Sequence, residues 1–245
     1  MGDKIVIVPT FNEKENIEDI IRRVFSLTDN FDMLVVDDNS PDGTADIVKS
    51  LQSTFPTLHI LERKEKNGLG TAYIAGFHWC LDKGYEFIFE MDADFSHNPD
   101  DLVRLHQACV EGADMSIGSR YVTGVNVVNW PMSRVMLSYF ASKYVRLITG
   151  LDIHDTTAGF VCYRSRVLRT IKLDAIKFRG YAFQIEMKFT TWKHGFRLKE
   201  VPIIFTDRTR GESKITRNII REAVWGVLAL KLKSWFRTYP RPSGI

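Results

Sequence analysis

The sequence predicts a single α/β domain on a mostly parallel central sheet flanked by helices. Short runs of β-branched and aromatic residues alternate with stretches of helical periodicity through the first half of the chain, the order that βαβ units with right-handed crossovers produce. Polar, turn-forming clusters follow three of the predicted strands, at residues 9–13, 37–42 and 92–97. An open sheet of this kind binds its ligands just beyond the carboxyl ends of its strands. At 245 residues, with 44% hydrophobic and 26% charged side chains, the chain suits one large globular domain.

Taken in order, residues 4–8 are an apolar strand, and Asn12 with Glu15 three positions on offers a capping box for a helix running to about residue 27. Residues 33–36 form a second strand, ending in Asp37-Asp38-Asn39-Ser40-Pro41-Asp42-Gly43, a dense turn signal. A helix over 44–55, a strand at 59–61, a helix over 71–83 and a strand at 86–91 follow. Pro99 opens a helix to about residue 111, because its fixed φ suits a first helical position, and 114–118 is another strand. The second half is less regular, with helices over 133–149 and 182–194, strands at 157–163 and 198–205, and a basic helix after residue 216. No repeat or linker divides the chain, so residues 1–215 are expected to form the domain and 216–245 an amphipathic helix and tail.

A net charge of +3 is too mild for a nucleic-acid partner. Cys80, Cys109 and Cys162 are far apart and outside metal-ligand spacing, which suits a reducing compartment. There is no signal-peptide pattern and no apolar run long enough to span a bilayer. The expected location is cytoplasmic, peripheral on the cytoplasmic face of a membrane. In the tail, Ile220, Val224, Val227, Leu228, Leu232 and Trp235 share one face at helical spacing, with Arg and Lys elsewhere. Two readings fit that stripe: an in-plane membrane anchor, or a helix packed on its own domain. A membrane-anchoring partner protein is a further option.

The chemistry concentrates in Glu90-Met91-Asp92-Ala93-Asp94-Phe95-Ser96-His97, which leaves the sheet after a strand. Two carboxylates two residues apart can share one hard cation through oxygen and leave coordination positions for a diphosphate; the alternative is a solvated acidic turn. Gly68-Leu69-Gly70 is not a dinucleotide fingerprint, since no third glycine follows and the first βα turn, Pro9-Thr10-Phe11-Asn12, has none.

Val8-Pro9-Thr10-Phe11-Asn12-Glu13, Val35-Val36-Asp37-Asp38-Asn39-Ser40-Pro41-Asp42-Gly43-Thr44, Met91-Asp92-Ala93-Asp94 and Gly118-Ser119-Arg120-Tyr121 resemble the signatures of family 2 glycosyltransferases of the GT-A fold. Ser96-His97-Asn98-Pro99, Asn129-Trp130-Pro131-Met132-Ser133-Arg134 and Arg208-Thr209-Arg210-Gly211-Glu212-Ser213-Lys214 narrow the resemblance to dolichyl (polyprenyl) phosphate mannose synthases. The similarity runs in order over roughly residues 4–215.

The resemblance implies inverting, metal-dependent transfer of mannose from GDP-mannose to a polyprenyl monophosphate, with Mg²⁺ or Mn²⁺ on Asp92 and Asp94. It implies Pro9, Phe11, Glu13 and Asp38 around the nucleotide, and Asp92, Ala93, Asp94 and Arg120 along the nucleotide-sugar. An aromatic for stacking and carboxylates that accept from base N–H and ribose hydroxyl groups agree with this. Phe11 departs from the family's usual tyrosine, and Ser96 stands where some relatives carry glutamine. Arg120, Arg134, Arg208 and Lys214 fall on positions tied to phosphate groups, with Arg210 nearby, and guanidinium forks suit phosphate oxygens. Asp94, Arg120 and Arg134 are the expected catalytic group. Asp37 is open between a ligand role and a turn cap, His97 between a metal ligand and a structural residue, and Ser133 and Ser138 between hydroxyl donors and helix chemistry.

A phosphate monoester is already nucleophilic near neutral pH, its second pKa being near 6, so no general base is needed. Asp155 and Glu186 are therefore expected to grip sugar hydroxyls or orient arginines, with an ordinary surface charge the alternative for Glu186. The rival functions are glucosyl or N-acetylglucosaminyl transfer within the same family, and a non-catalytic nucleotide- or lipid-phosphate-binding module.

Overall fold

In the computed structural model, residues 2–180, 182–207 and 217–241 are described, those at 217–223 through their backbone alone. The chain runs β1 (Lys4–Thr10), α1 (Ile17–Phe25), β2 (Asp32–Asp37), α2 (Thr44–Leu51), β3 (Leu58–Glu62), α3 (Leu69–Asp82), β4 (Phe87–Glu90), α4 (Asp101–Val110), β5 (Met115–Ser119), β6 (Val127–Val128) and α5 (Met132–Thr149). It continues through β7 (Val161–Arg164), α6 (Ser165–Thr170), a 3-10 turn (Leu173–Ala175), α7 (Ala182–Lys193), β8 (Leu198–Pro202), β9 (Phe205–Thr206) and α8 (Arg217–Ser234). The main sheet has seven strands in the order β3-β2-β1-β4-β7-β5-β8, and β6 pairs with β9 in a small second sheet.

The alternation of apolar side chains across the pleat builds two cores. Ile5, Ile7, Leu34 and Val36 face Tyr73 and Phe77 of α3. Val6, Val8, Met33 and Val35 face Ile17, Ile20 and Val24 of α1. Both faces of the sheet are covered, which is why β1 and β2 read as continuous apolar runs and not as alternating ones.

β7 runs antiparallel to both β4 and β5, with Glu90 opposite Val161. The chain enters β7 from the end of the sheet where β4 stops, so the strand can only run back. This reversal sets residues 155–160 beside the loop that follows β4. The predicted strand over 198–205 stops at Pro202, and Phe205 resumes in a different sheet against Val127. Proline cannot donate to the ladder, which accounts for the break.

The capping box does not form. α1 starts later, at Ile17, and Glu13 supplies the turn through its backbone carbonyl, which accepts from the Asn16 and Ile17 N–H groups. Asn12 instead adopts a left-handed conformation with φ 59°. The tail helix packs through Val227 and Leu230 against Val145, Ile185 and Phe189. Leu232 and Trp235, expected on the same face, point outward, while Trp225 and Phe236 are exposed as well. The small Gly226 explains this rotation: a Cβ there would lie 2.6 Å from Phe178 Cε1, so α8 turns its glycine toward the domain. The expected boundary between residues 215 and 216 lies outside the described residues.

Gly76 lets α3 lie directly on β1, where an added Cβ would sit 2.9 Å from Ile7 Cγ2 and 3.0 Å from Ile7 Cδ1. Gly76→Ala gains helix propensity of about 1 kcal/mol but overpacks a closed core at about 1–3 kcal/mol. A net loss of stability is expected in urea unfolding; an unchanged or raised midpoint would show that Ile7 yields.

Candidate active site

The loops after β1, β2, β4 and β5 gather at one edge of the sheet. Asp37 binds the first two of them together: it accepts from Thr10 Oγ1 at 2.7 Å, from Ser40 Oγ at 2.6 Å and from the Ser40 N–H at 2.9 Å. With both oxygens so used, Asp37 is a structural cap of the turn. Asp38, one residue on, is free of that duty and forms an ion pair with Arg63 at 3.1 Å. Burial raises the Asp38 pKa against the opposing pull of Arg63. Pro9 and Glu13 are half-buried on the adjoining loop. Phe11 carries the Lys66 ammonium 4.0 Å from its ring centroid, so Arg63 and Lys66 belong to this edge although no motif marked them.

The Asp92–Asp94 loop is held from below. His97 is buried and stacked on Phe160 with centroids 4.8 Å apart. Its Nδ1 accepts from the Asp92 N–H at 3.2 Å. Burial pushes the His97 pKa down to about 4, so the ring is neutral and its proton sits on Nε2. That geometry fits a support for the loop rather than a metal ligand. Asp94 accepts from the Ser96 N–H at 3.1 Å, and Phe95 adopts a left-handed φ of 58°. The four non-glycine residues with positive φ among those described are Asn12, Asn39, Phe95 and Asn129, in the loops after β1, β2, β4 and β6. Clustering of sparsely populated backbone conformations is typical of sites that must aim side chains.

Asp92, Asp94 and Ser96 line a common cavity of about 380 Å³. Ser96 Oγ is buried with no hydrogen-bond partner among the described residues. Two carboxylates and an unsatisfied hydroxyl form an all-oxygen donor set that fits a hard divalent cation. No group of three or more His, Cys, Asp or Glu is assembled for a metal among the described residues, so further ligands would have to come from bound substrate or water.

Arg120 and Arg134 line the same cavity. The Asp155 carboxylate grips Arg120 twice, from Nε at 2.7 Å and from Nη2 at 2.6 Å, and also accepts the Arg120 N–H at 3.0 Å. Burial alone would raise the Asp155 pKa, but the Arg120 guanidinium holds it below its ordinary value. Glu200 secures this clamp in turn by accepting the Asp155 N–H at 2.9 Å and the Ser119 hydroxyl at 2.6 Å. Arg134 stacks on Trp130 at 4.1 Å and donates to both oxygens of Asp207 at 2.8 and 2.9 Å. Trp130 and Phe205 also flank Arg120, at 5.3 and 5.5 Å. Ser138 lines the cavity from α5, whereas Ser133 is exposed. Arg208, Arg210 and Lys214 lie outside the described residues.

A buried polar floor lies under the cavity. The Gln184 amide donates to Glu90 Oε2 at 2.6 Å, and Lys188 Nζ donates to Ala158 O at 2.6 Å and Gln184 Oε1 at 3.2 Å. Burial pushes Glu90 up and Lys188 down from their usual pKa values. Glu186 is not a surface charge, and it is not among the residues that line the cavity. It is 4% exposed, and its Oε2 accepts the Lys177 and Phe178 N–H groups at 2.8 and 3.0 Å. The periodicity of α7 points residue 186 away from residue 184's neighbours, into the loop before the helix.

The family profile of "Glycosyl transferase family 2" matches residues 5–172. An undecaprenyl-phosphate mannosyltransferase from Micrococcus luteus is 48% identical over 92% of this chain and 94% of its own length. A polyprenol monophosphomannose synthase from Mycolicibacterium smegmatis is 47% identical over 91% of this chain and 86% of its own. Among solved structures, glucosyl-3-phosphoglycerate synthase from Mycobacterium tuberculosis, in complex with Mn²⁺, UDP and glucosyl-3-phosphoglycerate, shares the fold with a TM-score of 0.69 at 15% identity, over 100% of this chain and 83% of that one. A mannosyltransferase from Pyrobaculum calidifontis, in complex with GDP-Man and Mn²⁺, does so with a TM-score of 0.60 at 19% identity, over 98% of this chain and 66% of that one.

The clamp has a measurable cost when broken. Asp155→Asn keeps the shape but leaves the Arg120 charge without its buried partner, a loss of about 3–5 kcal/mol in unfolding free energy. Wild-type stability in that variant would show that Arg120 finds another partner without help from residue 155.

Proposed function

The chain belongs to glycosyl transferase family 2 and is a glycosyltransferase, and from that premise we propose that it transfers mannose from GDP-mannose to a polyprenyl monophosphate with inversion. One observation carries the reading. The cavity that opens on Asp92 and Asp94 passes Arg120 and Arg134 and continues between α5 and α8 over Leu137, Phe140, Tyr144 and Val227. Such a cavity suits an acceptor that ends in a phosphate and continues as hydrocarbon. The names of the most similar relatives support mannose as the sugar and a polyprenyl phosphate as the acceptor.

Phe11, Glu13 and Asp38, with Pro9 beside them, would seat the nucleotide by stacking and by accepting from its donors. Asp92 and Asp94 would hold the divalent cation, with Ala93 between them facing the core; the bound ion supplies stabilisation of charge on the departing diphosphate. Arg120 and Arg134 bring fixed positive charge against two anionic substrates, lowering their mutual repulsion and setting the acceptor phosphate in line. Asp155 cannot serve as a base while it grips Arg120, and Glu186 is occupied by backbone N–H groups. The nucleophile in this reading is the phosphate oxygen, already ionised.

The exposed Met132, Met136, Phe140 and Leu147 of α5, with Trp225 of α8 and Trp235 and Phe236 just beyond its end, give this helix pair an exposed apolar face, with the cations Lys143, Lys231 and Lys233 on the same segments. None of the described helices is long and apolar enough to cross a membrane. This face would lie in the plane of a bilayer and bring the mouth of the cavity to its lipid acceptor.

Release of GDP from GDP-mannose should require a short polyprenyl phosphate and Mg²⁺ or Mn²⁺. The rate should rise through about pH 6, as the second ionisation of the phosphate completes, and then level off. Equal transfer to the dephosphorylated alcohol would overturn the phosphate nucleophile.

Asp94→Asn should fold normally yet lose activity by at least about a hundredfold, since a missing share of leaving-group stabilisation is worth several kcal/mol. Near-normal turnover in that variant would remove Asp94 from the reaction.

A further inference from the structure

The polar floor beneath the cavity is an unusual investment for a protein core. Glu90 and Lys188 are both fully buried, as is most of Gln184 at 3% exposure. Burying two opposite charges stabilises a fold poorly compared with apolar packing of the same volume, so such a pair is better explained by what it orients. Here the oriented group is the Gln184 amide.

Lys188 Nζ has three oxygens around it: Ala158 O at 2.6 Å, Gln184 Oε1 at 3.2 Å and Gln184 O at 3.4 Å. An ammonium only donates, so the amide oxygen must face it. The amide nitrogen then faces Glu90 Oε2 at 2.6 Å, and a carboxylate accepts. Turning the amide over would set N–H against ammonium and C=O against carboxylate. The orientation is thereby fixed from both sides. One of the two Nε2 hydrogens goes to Glu90, and the second has no partner among the described residues.

Gln184 and Gly159 line the cavity together with Asp92, Asp94 and Arg120. A Cβ at Gly159 would lie 3.9 Å from Gln184 Nε2 and 3.8 Å from His97 Cε1, so the glycine leaves the amide nitrogen open on that side. The amide lines the same cavity as the carboxylates assigned to the diphosphate and the arginines assigned to the acceptor. What must pass from diphosphate to acceptor is the transferred hexose.

We propose that Gln184 donates a hydrogen bond to a hydroxyl of the transferred hexose and so helps to choose the sugar, and that Lys188 and Glu90 are positioning residues that lock its amide in the donating orientation. The proposal rests on the nucleotide-sugar reading of the cavity. A neutral amide suits the task, because it reads a hydroxyl without adding charge beside the diphosphate.

The test uses the full chain and two donors that differ at one hydroxyl, GDP-mannose and GDP-glucose, together with a set of singly deoxygenated GDP-mannoses. In wild-type protein, one deoxygenated donor should lose kcat/KM by at least about tenfold, the range expected when a site's donor is left unpaired. Gln184→Asn retracts the amide by one methylene. It should lower kcat/KM for GDP-mannose by a similar factor, leave the Kd for GDP within about twofold, and abolish the extra penalty of that same deoxygenated donor. Lys188→Met frees the amide to turn, and should reduce the preference for mannose over glucose with GDP affinity intact. Should both variants fail to fold, the wild-type series still decides: equal turnover of all deoxygenated donors overturns the proposal. An unchanged donor ratio in folded Gln184→Asn overturns it too. If wild-type protein does not turn over GDP-mannose at all, the donor reading fails instead, a result distinct from either.

Discussion

The buried ion pair between Arg120 and Asp155 is the contact on which the rest of the site depends. In the proposed reaction two anionic substrates meet in a cavity walled largely by apolar side chains, and positive charge has to wait there in a fixed position. A guanidinium left loose in such a place would be free to pair with other carboxylates that line the cavity, Asp92, Asp94 and Asp207 among them. Asp155 prevents this by taking two of its donors in fixed geometry, and Glu200 prevents Asp155 from drifting by holding its backbone and that of His154. A chain of pairings therefore runs from the sheet edge at β8 to the centre of the cavity. Preorganised charge of this kind requires no rearrangement at the moment of reaction.

The antiparallel insertion of β7 makes that chain possible. A purely parallel sheet would have carried residues 155–160 to the opposite edge. Because β7 starts where β4 ends, one short segment supplies Asp155 to Arg120, the Ala158 carbonyl to Lys188, and Gly159 to the cavity wall. The same segment places Phe160 under His97, which supports the Asp92 backbone. One reversed strand thus couples the Asp92–Asp94 loop to Arg120, an arginine that lines the same cavity.

The outer half of the cavity follows a different logic. α5 and α8 present small and apolar side chains inward and large exposed ones outward, so two helices serve both the cavity and the surface. The interior contacts Val145, Ile185, Phe189, Val227 and Leu230 fix the helix pair to the domain. The outward Phe140, Trp225, Trp235 and Phe236 are all more than half exposed, in keeping with a site whose proposed acceptor is held in a lipid layer.

The sequence by itself determined the parallel α/β class, the order of the main elements, and the placing of Phe11, Asp38, Asp92, Asp94 and Arg120 in loops at one edge of the sheet, with Arg134 in the first turn of a helix. Local chemistry is enough for that, since strand and helix periodicities and turn residues act over a few positions. The sequence left Asp37 and His97 ambiguous and misjudged Glu186, the α1 cap and the inward face of α8. It gave no sign of Arg63, Lys66, Gln184, Lys188 or Asp207. Only the tertiary structure decided these, because their roles depend on partners distant in the chain: Lys188 meets Ala158 from 30 positions away, Gln184 meets Glu90 from 94, and Arg134 meets Asp207 from 73. A carboxylate that caps a turn and one that faces a ligand are the same letter in the sequence. What distinguishes them is which N–H groups the fold brings within hydrogen-bonding distance.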